Sequence, residues 1–534
     1  MRWGSLSWQS TVGSGQSVPG LITKSLITKM YLLGYDIGSS SIKAALVEAE
    51  TGTTLAIAQS PVTEMGMTAH QPGWAEQDPD EWWQHVCAAT QQLLTNTLIA
   101  PAEIKGIGIS YQMHGLVVVG DDMKPLRPSI IWCDSRAVPY GNRAFEEMGH
   151  EHCLSHLLNS PGNFTAAKLA WVKENEPGIF AKIRYFMLPG DYIALRLTGE
   201  AMTTPSGLSE GILWDFLENV VSKAVLDYFG FDKKLVPAVV PTFSLQGKLT
   251  PEAAAATGLA EGTPVAYRAG DQPNNALSLN VLQPGEVAAT GGTSGVVYGV
   301  VDHPAFDKQS RVNGFAHVNH KTVGNEQLAV GSSDRIGVLL CINGAGSLYR
   351  WLRQTVGQGS ISYPDMERLA ASVPVGADGL RILPFGNGAE RMLDNLDPGA
   401  QVNGLQLNRH TAAHLYRAGL EGIAFSFVYG VQILKEMGLD ISVMRVGNDN
   451  LFQSAVFSKT IATLLCCSID VVETTGAVGA AKAAGVATGI YPNIERAMAS
   501  VTVTGRYEPE EGRVGEYRAA YGAWEDDLSR FVAG

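Results

Sequence analysis

Two short turns rich in small residues, one in each half of the chain, constrain the fold more than any other feature. In the first, the apolar strand Tyr31-Leu-Leu-Gly-Tyr-Asp36-Ile runs into Gly38-Ser39-Ser40-Ser41, and Ile42 to Glu48 resumes as a second strand. In the second, Gly285 to Thr290 leads into Gly291-Gly292-Thr293-Ser294-Gly295 and out again through Val296 to Val301. Both read as strand, tight turn, strand. Gly, Ser and Thr in such a turn let backbone N–H groups approach phosphate oxygens closely, although the same residues also make plain hairpin turns. A turn of this kind in each half suggests two related lobes that face each other and grip one polyphosphate. No G-x-x-x-x-G-K-[ST] occurs, and no G-x-G-x-x-G follows the first strand. A P-loop is thereby excluded and a Rossmann dinucleotide site disfavoured.

Between and after these hairpins, strands mix with helices, the pattern of an α/β protein. Helices are expected over Asp80–Leu98, Gly346–Gln354 and Ala412–Met437, and strands over Ile104–Ser110, Leu116–Val119, Thr263–Tyr267 and Val443–Gly447. Gly476 to Gly485 reads as a helix of small residues, able to approach another backbone or a flat ligand closely. The lobe boundary is expected near Ala269. Residues 1–29 carry no acidic residue and no continuous apolar centre, and read as a disordered extension without a secretory signal.

Composition narrows the function. A net charge of −13 over 534 residues disfavours a nucleic-acid binder, which shows a basic stripe. No apolar stretch approaches the length of a membrane helix. The six cysteines are sparse and form no C-x-x-C, which fits a reducing cytoplasm. The adjacent Cys466 and Cys467 lie in an apolar run and are expected to be buried thiols.

Two aspartates carry the chemistry. Asp36, at a strand end beside the first turn, can hold Mg²⁺, which prefers a few carboxylates plus phosphate oxygens. Asp271 follows another strand, where an aspartate is ordinarily a turn former or helix cap. They are far apart in sequence, so only a two-lobed fold unites them. United, one manages metal and phosphate while the other takes a proton from an attacking hydroxyl. Trp132-Cys-Asp134-Ser-Arg136 reads as an ion pair shaping the cleft, and Trp74, Glu76 and Asp78 as packing and helix capping. His150, Glu151, His152 and Cys153, with His156 beyond, are metal-ligand types, but their spacing sets no zinc site.

The ordered series Asp36-Ile-Gly-Ser-Ser, Gly73-Trp-Ala-Glu-Gln-Asp-Pro79, Gln112-Met113-His114-Gly115, Trp132-Cys-Asp-Ser-Arg136, Gly270-Asp271 and Gly291-Gly-Thr-Ser-Gly295 resembles the FGGY family of carbohydrate kinases. Within that family the xylulokinase-like members are the nearest in pattern. The resemblance runs from about Met30 to about Pro492. It implies two actin-like, ribonuclease-H-like lobes with ATP and sugar in the cleft between them. Residues 30–269 would form the sugar and metal side, and 270–534 the nucleotide side. It implies Asp271 as catalytic base and Asp36 as the Mg²⁺ aspartate, directly or through water. Met113, His114, Asp271 and Gln272 would contact the sugar. Gly38, Ser39, Ser40, Gly292, Thr293 and Ser294 would contact phosphate, and Gly447, Gly476 and Gly479 would surround the adenosine. Gln272 stands where xylulokinases often carry Asn after the base, and Val446-Gly447-Asn448-Asp449-Asn450 replaces an often Gly-Gly-rich loop. The Arg-Glu pair expected of glycerol kinases near His114 is missing, which argues against glycerol. The expected activity is phosphorylation of D-xylulose by ATP, with another ketopentose or an alditol as the alternative acceptor. A catalytically silent sugar- or nucleotide-binding regulator is the rival of another class. The expected partners are small molecules, with no nucleic acid and no membrane, and a homodimer is compatible with all of this.

Overall fold

The computed structural model describes residues 29–321, 334–388, 390–397 and 399–532. Apart from Lys29, the expected N-terminal extension lies outside the described residues.

The first sheet is built from β1 (Tyr31–Ile37), β2 (Ile42–Glu48), β3 (Thr54–Ser60), β4 (Ile104–Tyr111) and β5 (Val265–Gly270), in the spatial order β5-β4-β1-β2-β3. β1, β2 and β3 form an antiparallel meander, while β4 and β5 run parallel to β1. Six of the seven β1 residues are buried, as a central strand covered on both faces requires, whereas β3 is largely open along the edge. The second sheet comprises β6 (Glu286–Gly291), β7 (Gly295–Val301), β8 (Asn313–Ala316), β9 (Ile336–Ile342), β10 (Val443–Gly447), β11 (Ile469–Val472) and β12 (Val503–Tyr507), ordered β8-β9-β7-β6-β10-β11-β12. Its inner five strands repeat the first sheet: β9-β7-β6 are antiparallel, and β10 and β11 run parallel to β6 and to each other. The two lobes are thus the same α/β unit used twice. The two turns singled out in the sequence join the first and second strands of each unit.

Helix α1 (Pro79–Thr97) starts where Asp78 accepts the Asp80 N–H at 2.9 Å and ends at Leu98 in the left-handed conformation. α2 (Asp271–Ser278) follows β5 directly and packs on β6 and β7, so the chain crosses between sheets within residues 270–286. α3 (Ala412–Glu436) lies buried in the second lobe, beside α4 (Ala455–Leu465).

Helix α5 (Gly476–Ala487) departs from the expected division near Ala269. It comes late in the chain but packs on β1, β4 and β5 of the first sheet. Glycines at the contact explain how. A β-carbon on Gly34 would stand 1.9 Å from the Ala477 carbonyl oxygen, and one on Gly108 would stand 2.0 Å from that of Ala480. The small-residue helix therefore approaches another backbone.

Cys467 is buried as expected, but Cys466 is exposed. It caps α4 with φ 55°, and that left-handed turn carries its side chain away from the core. Among the described residues, no helix is long and apolar enough to cross a membrane.

Candidate active site

Parallel strands β1, β4 and β5 all end at the same edge of the first sheet, where α/β proteins bind ligands. Asp36, next to last in β1, sits in register with Lys43 on β2 and Ser110 on β4. Ser110 Oγ donates to Asp36 Oδ1 at 3.1 Å. Burial raises the Asp36 carboxyl above the usual carboxylate range, partly offset by Lys43 and Ser110. Among the described residues it makes no ion pair within 4 Å. The adjoining turn is braced from outside. Gly38 N–H donates to the Ser41 carbonyl at 3.2 Å, Gln77 Nε2 to the Ser39 carbonyl at 2.7 Å, and the Met65 N–H to that of Ser40 at 2.8 Å. Trp132 Nε1 reaches Ser39 Oγ at 3.3 Å.

Asp271 is the first residue of α2, two beyond the register row that joins Ala269 to Ser110. Burial, reinforced by the negative charge of Asp36, raises it to about 7, against hydrogen bonds from the Gln272 backbone and side chain. The two aspartates therefore meet at one sheet edge.

Met113 and His114 leave β4 beside them. His114 adopts φ 63°, and its Nδ1 can only donate to the Glu210 carbonyl, 2.9 Å away, leaving Nε2 as the acceptor nitrogen. Burial lowers its pKa to about 3, so the imidazole is neutral. Phe164 sets the ring edge-on at 4.6 Å. Beneath, Lys168 Nζ donates to the His114 carbonyl at 2.8 Å, and burial brings that amine down to about 7.

The second turn opens on the other lobe. Its carbonyls are tied back by the Gly346 N–H to Gly292 at 2.9 Å and the Ser347 N–H to Thr293 at 3.2 Å, while Thr293 and Ser294 are exposed. A cavity of about 1250 Å³ lies beside it, lined by Gly292, Thr293, Ser347, Asn450 and Gln453 among others. Gly447 ends β10 at the loop that carries Asp449. Lys43 acts on both Asp449 and Asp36, so this loop faces the first hairpin.

Gly476 also reaches the carboxylates: a β-carbon there would stand 2.9 Å from Asp36 Oδ2, and its carbonyl accepts Asn274 Nδ2 at 2.9 Å. Gly479 does not fit the adenosine position expected of it. It is buried, and a β-carbon on it would stand 1.9 Å from Ser278 Oγ, so it serves the crossing of α5 with α2.

The flanking motifs are structural in geometry. Arg136 pairs with Asp134 at 2.7 Å and Glu76 at 2.6 Å, with its guanidinium 3.7 Å from the centre of the Trp74 ring. His150 bonds Glu146 and stacks on Phe145, and His156 bonds Asp215. Among the described residues, no group of three metal-ligand side chains assembles. Sequence reasoning missed Lys43, Ser110, Lys168 and Glu210. A lone acid in the mostly apolar run Gly207 to Trp214 was the available signal for Glu210.

Comparison with known proteins agrees with this architecture. The family model for the N-terminal domain of FGGY carbohydrate kinases matches residues 31–278, and that for the C-terminal domain matches 287–488. The chain is similar to a xylulose kinase of Bacillus subtilis (strain 168), 27% identical over 92% of this chain and 95% of that protein. It is also similar to an L-xylulose/3-keto-L-gulonate kinase of Escherichia coli K12, 31% identical over 88% and 90%. The crystal structure of a xylulose kinase from Rhodospirillum rubrum superposes with a TM-score of 0.83 at 27% identity, covering 94% of this chain and all of that one (100%). The chain belongs to the FGGY family of carbohydrate kinases and is a sugar phosphotransferase.

Proposed function

We propose that this kinase transfers the γ-phosphoryl group of ATP to the terminal O5 hydroxyl of D-xylulose, giving D-xylulose 5-phosphate and ADP. The observation that carries the reading is the meeting of Asp271 and Asp36 at one sheet edge. Asp271, ionised above about pH 7, accepts the O5–H proton while the new O–P bond forms and the bond to ADP breaks. Met113 and His114 line the sugar side, with neutral Nε2 accepting from a sugar hydroxyl, and Gln272 follows the base. Gly38, Ser39 and Ser40 take the phosphates from one side, and Gly292, Thr293 and Ser294 from the other. The cavity beside the second turn receives the nucleoside, with Gly447 at its loop and Gly476 near the phosphates.

The environment of Asp36 suits Mg²⁺: a half-buried carboxylate without an ion-pair partner among the described residues, with one serine hydroxyl and room for phosphate oxygens. The chemistry such a cation supplies is charge neutralisation on the phosphate oxygens. Closure of the lobes excludes water, the competing acceptor. Such an enzyme works in the cytoplasm, where ATP is regenerated.

The similarity to the L-xylulose/3-keto-L-gulonate kinase favours one second reading, an acceptor of the opposite hand or an acidic ketose. A coupled ADP-release assay with MgATP across D-xylulose, L-xylulose, ribulose, alditols, glycerol and 3-keto-L-gulonate decides. The highest kcat/KM on D-xylulose supports the proposal; a preference for any other acceptor replaces it, and no sugar-dependent turnover leaves a binding protein.

A further inference from the structure

Glu210 ends the short helix Pro205–Glu210, is only 1% exposed and forms no ion pair among the described residues; the Tyr111 hydroxyl and the His114 backbone N–H are the donors that act on its carboxyl. Burying a charged carboxylate without a cation to pair with it is costly, and such a group neutralises instead. The place it occupies is specific. A β-carbon built on Gly270 would stand 2.6 Å from Glu210 Oε2 and 2.6 Å from Met113 Cγ. The carboxyl therefore lies against the residue that precedes Asp271 and beside the one that precedes His114. The Glu210 backbone carbonyl, in turn, receives the His114 Nδ1–H. One residue thus touches both arms of the sugar side of the cleft. Both polar atoms of the neighbouring Gln112 side chain are buried without partners.

The ionisable groups around it are Tyr111 on β4, Asp191 on the helix Pro189–Thr198, Arg268 on β5, Asp271 on α2 and Tyr298 on β7. Arg268, the cation among them, acts on Tyr111 and is held toward Asp191, with its Nη1 buried and unpartnered. It pairs with Asp191 at 2.9 Å and donates to the Met202 carbonyl at 3.0 Å. Asp271 and Asp191 add only negative charge. Burial first, then Asp271 and Asp191, push the Glu210 carboxyl well above its usual range, against hydrogen bonds from the Tyr111 hydroxyl and the His114 backbone.

We propose that Glu210 is a positioning residue of the phosphotransfer site, held as a neutral carboxylic acid beneath Gly270 and Met113, where it fixes Asp271 and His114 relative to each other. The inference rests on the reading of Asp271 as the base. No proton passes through Glu210 in the transfer; the sugar proton goes to Asp271. Ionisation of Glu210 sets another negative charge beside Asp271, where it opposes the approach of a triphosphate. It also draws the carboxyl toward water and disturbs the carbonyl that holds His114. Activity is therefore expected to fall on the alkaline side as Glu210 loses its proton.

The test compares pH profiles of kcat/KM for the full-length protein and Glu210→Gln, using MgATP and whichever sugar the acceptor panel shows to be phosphorylated. Glutamine keeps the shape and cannot ionise. The expected result is an acid limb common to both proteins and an alkaline limb displaced upward by about one pH unit or more in the variant. Superimposed alkaline limbs overturn the proposal. Infrared spectroscopy of the unsubstituted protein is the second measurement. A protonated-carboxyl carbonyl band is expected to persist at pH 8 and to vanish over the range in which activity falls. Its absence at pH 8 overturns the proposal even where the variant fails to fold. Should no sugar be phosphorylated, the reading of function fails, while the infrared band still decides the state of Glu210.

Discussion

Gly476 and Asp36 touch from opposite ends of the chain: a β-carbon at 476 would stand 2.9 Å from Asp36 Oδ2 and 3.4 Å from Asn274 Nδ2. Gly476 opens α5 without a left-handed φ, so its backbone accepts alanine and Gly476→Ala is expected to fold. The methyl group must displace the carboxylate, however. Thermal unfolding within a few degrees of the parent, together with a kcat at least about tenfold lower, is the expected pair of results. Unchanged turnover would show that Asp36 has room to spare.

Asp271→Asn removes the proton acceptor but keeps its shape. The rate is expected to fall by about 10²–10⁴-fold, while calorimetry still detects binding of MgATP. Residual turnover within a few-fold of the parent would assign the base elsewhere.

Asp271 titrates near pH 7 because it is buried beside Asp36. The base must be ionised, so kcat/KM is expected to drop tenfold per unit as pH falls below about 7. Its raised pKa acts on stability in the opposite direction. The contribution favours folding below the unfolded value and is lost as pH rises through about 7. Asp271→Asn is therefore expected to be the more stable protein at pH 8, by about 1–2 kcal/mol after discounting for partial exposure, with the advantage smaller at pH 5, inside the window between the unfolded and folded values. Chemical denaturation at both pH values measures the difference.

Gly34→Ala tests the seat of α5. Its β-carbon would stand 1.9 Å from the Ala477 carbonyl oxygen and 2.4 Å from the Ala481 backbone nitrogen, with only backbone there to yield. A loss of about 3 kcal/mol in urea unfolding is expected. A loss below about 0.5 kcal/mol would mean that helix and sheet are not in close contact.

The parts of this molecule that were legible in sequence are those whose chemistry is local. Asp36 with its Gly-Ser turn, and Gly291 to Gly295, announce themselves because small residues between two apolar strands have few uses. Strand and helix limits near Val443–Gly447 and Ala412–Glu436 follow from periodicity alone. What stayed hidden depends on partners remote in the chain. Gly479 resembled a ligand-facing glycine, yet it meets Ser278; nothing local distinguishes a helix that approaches a ligand from one that approaches a helix. Cys466 sits in an apolar run, but its left-handed turn reverses its side chain. Lys43 and Ser110 became readable only through strand register, which places both against Asp36.

Helix α5 belongs by covalent order to the second half and by contact to the first. Translation therefore completes the floor under β1 only near its close, and a ribosome-bound first half must wait with that surface bare. A fragment stopping anywhere ahead of residue 476 inherits the same exposed underside, so separately expressed halves are expected to aggregate unless the missing peptide is supplied in trans.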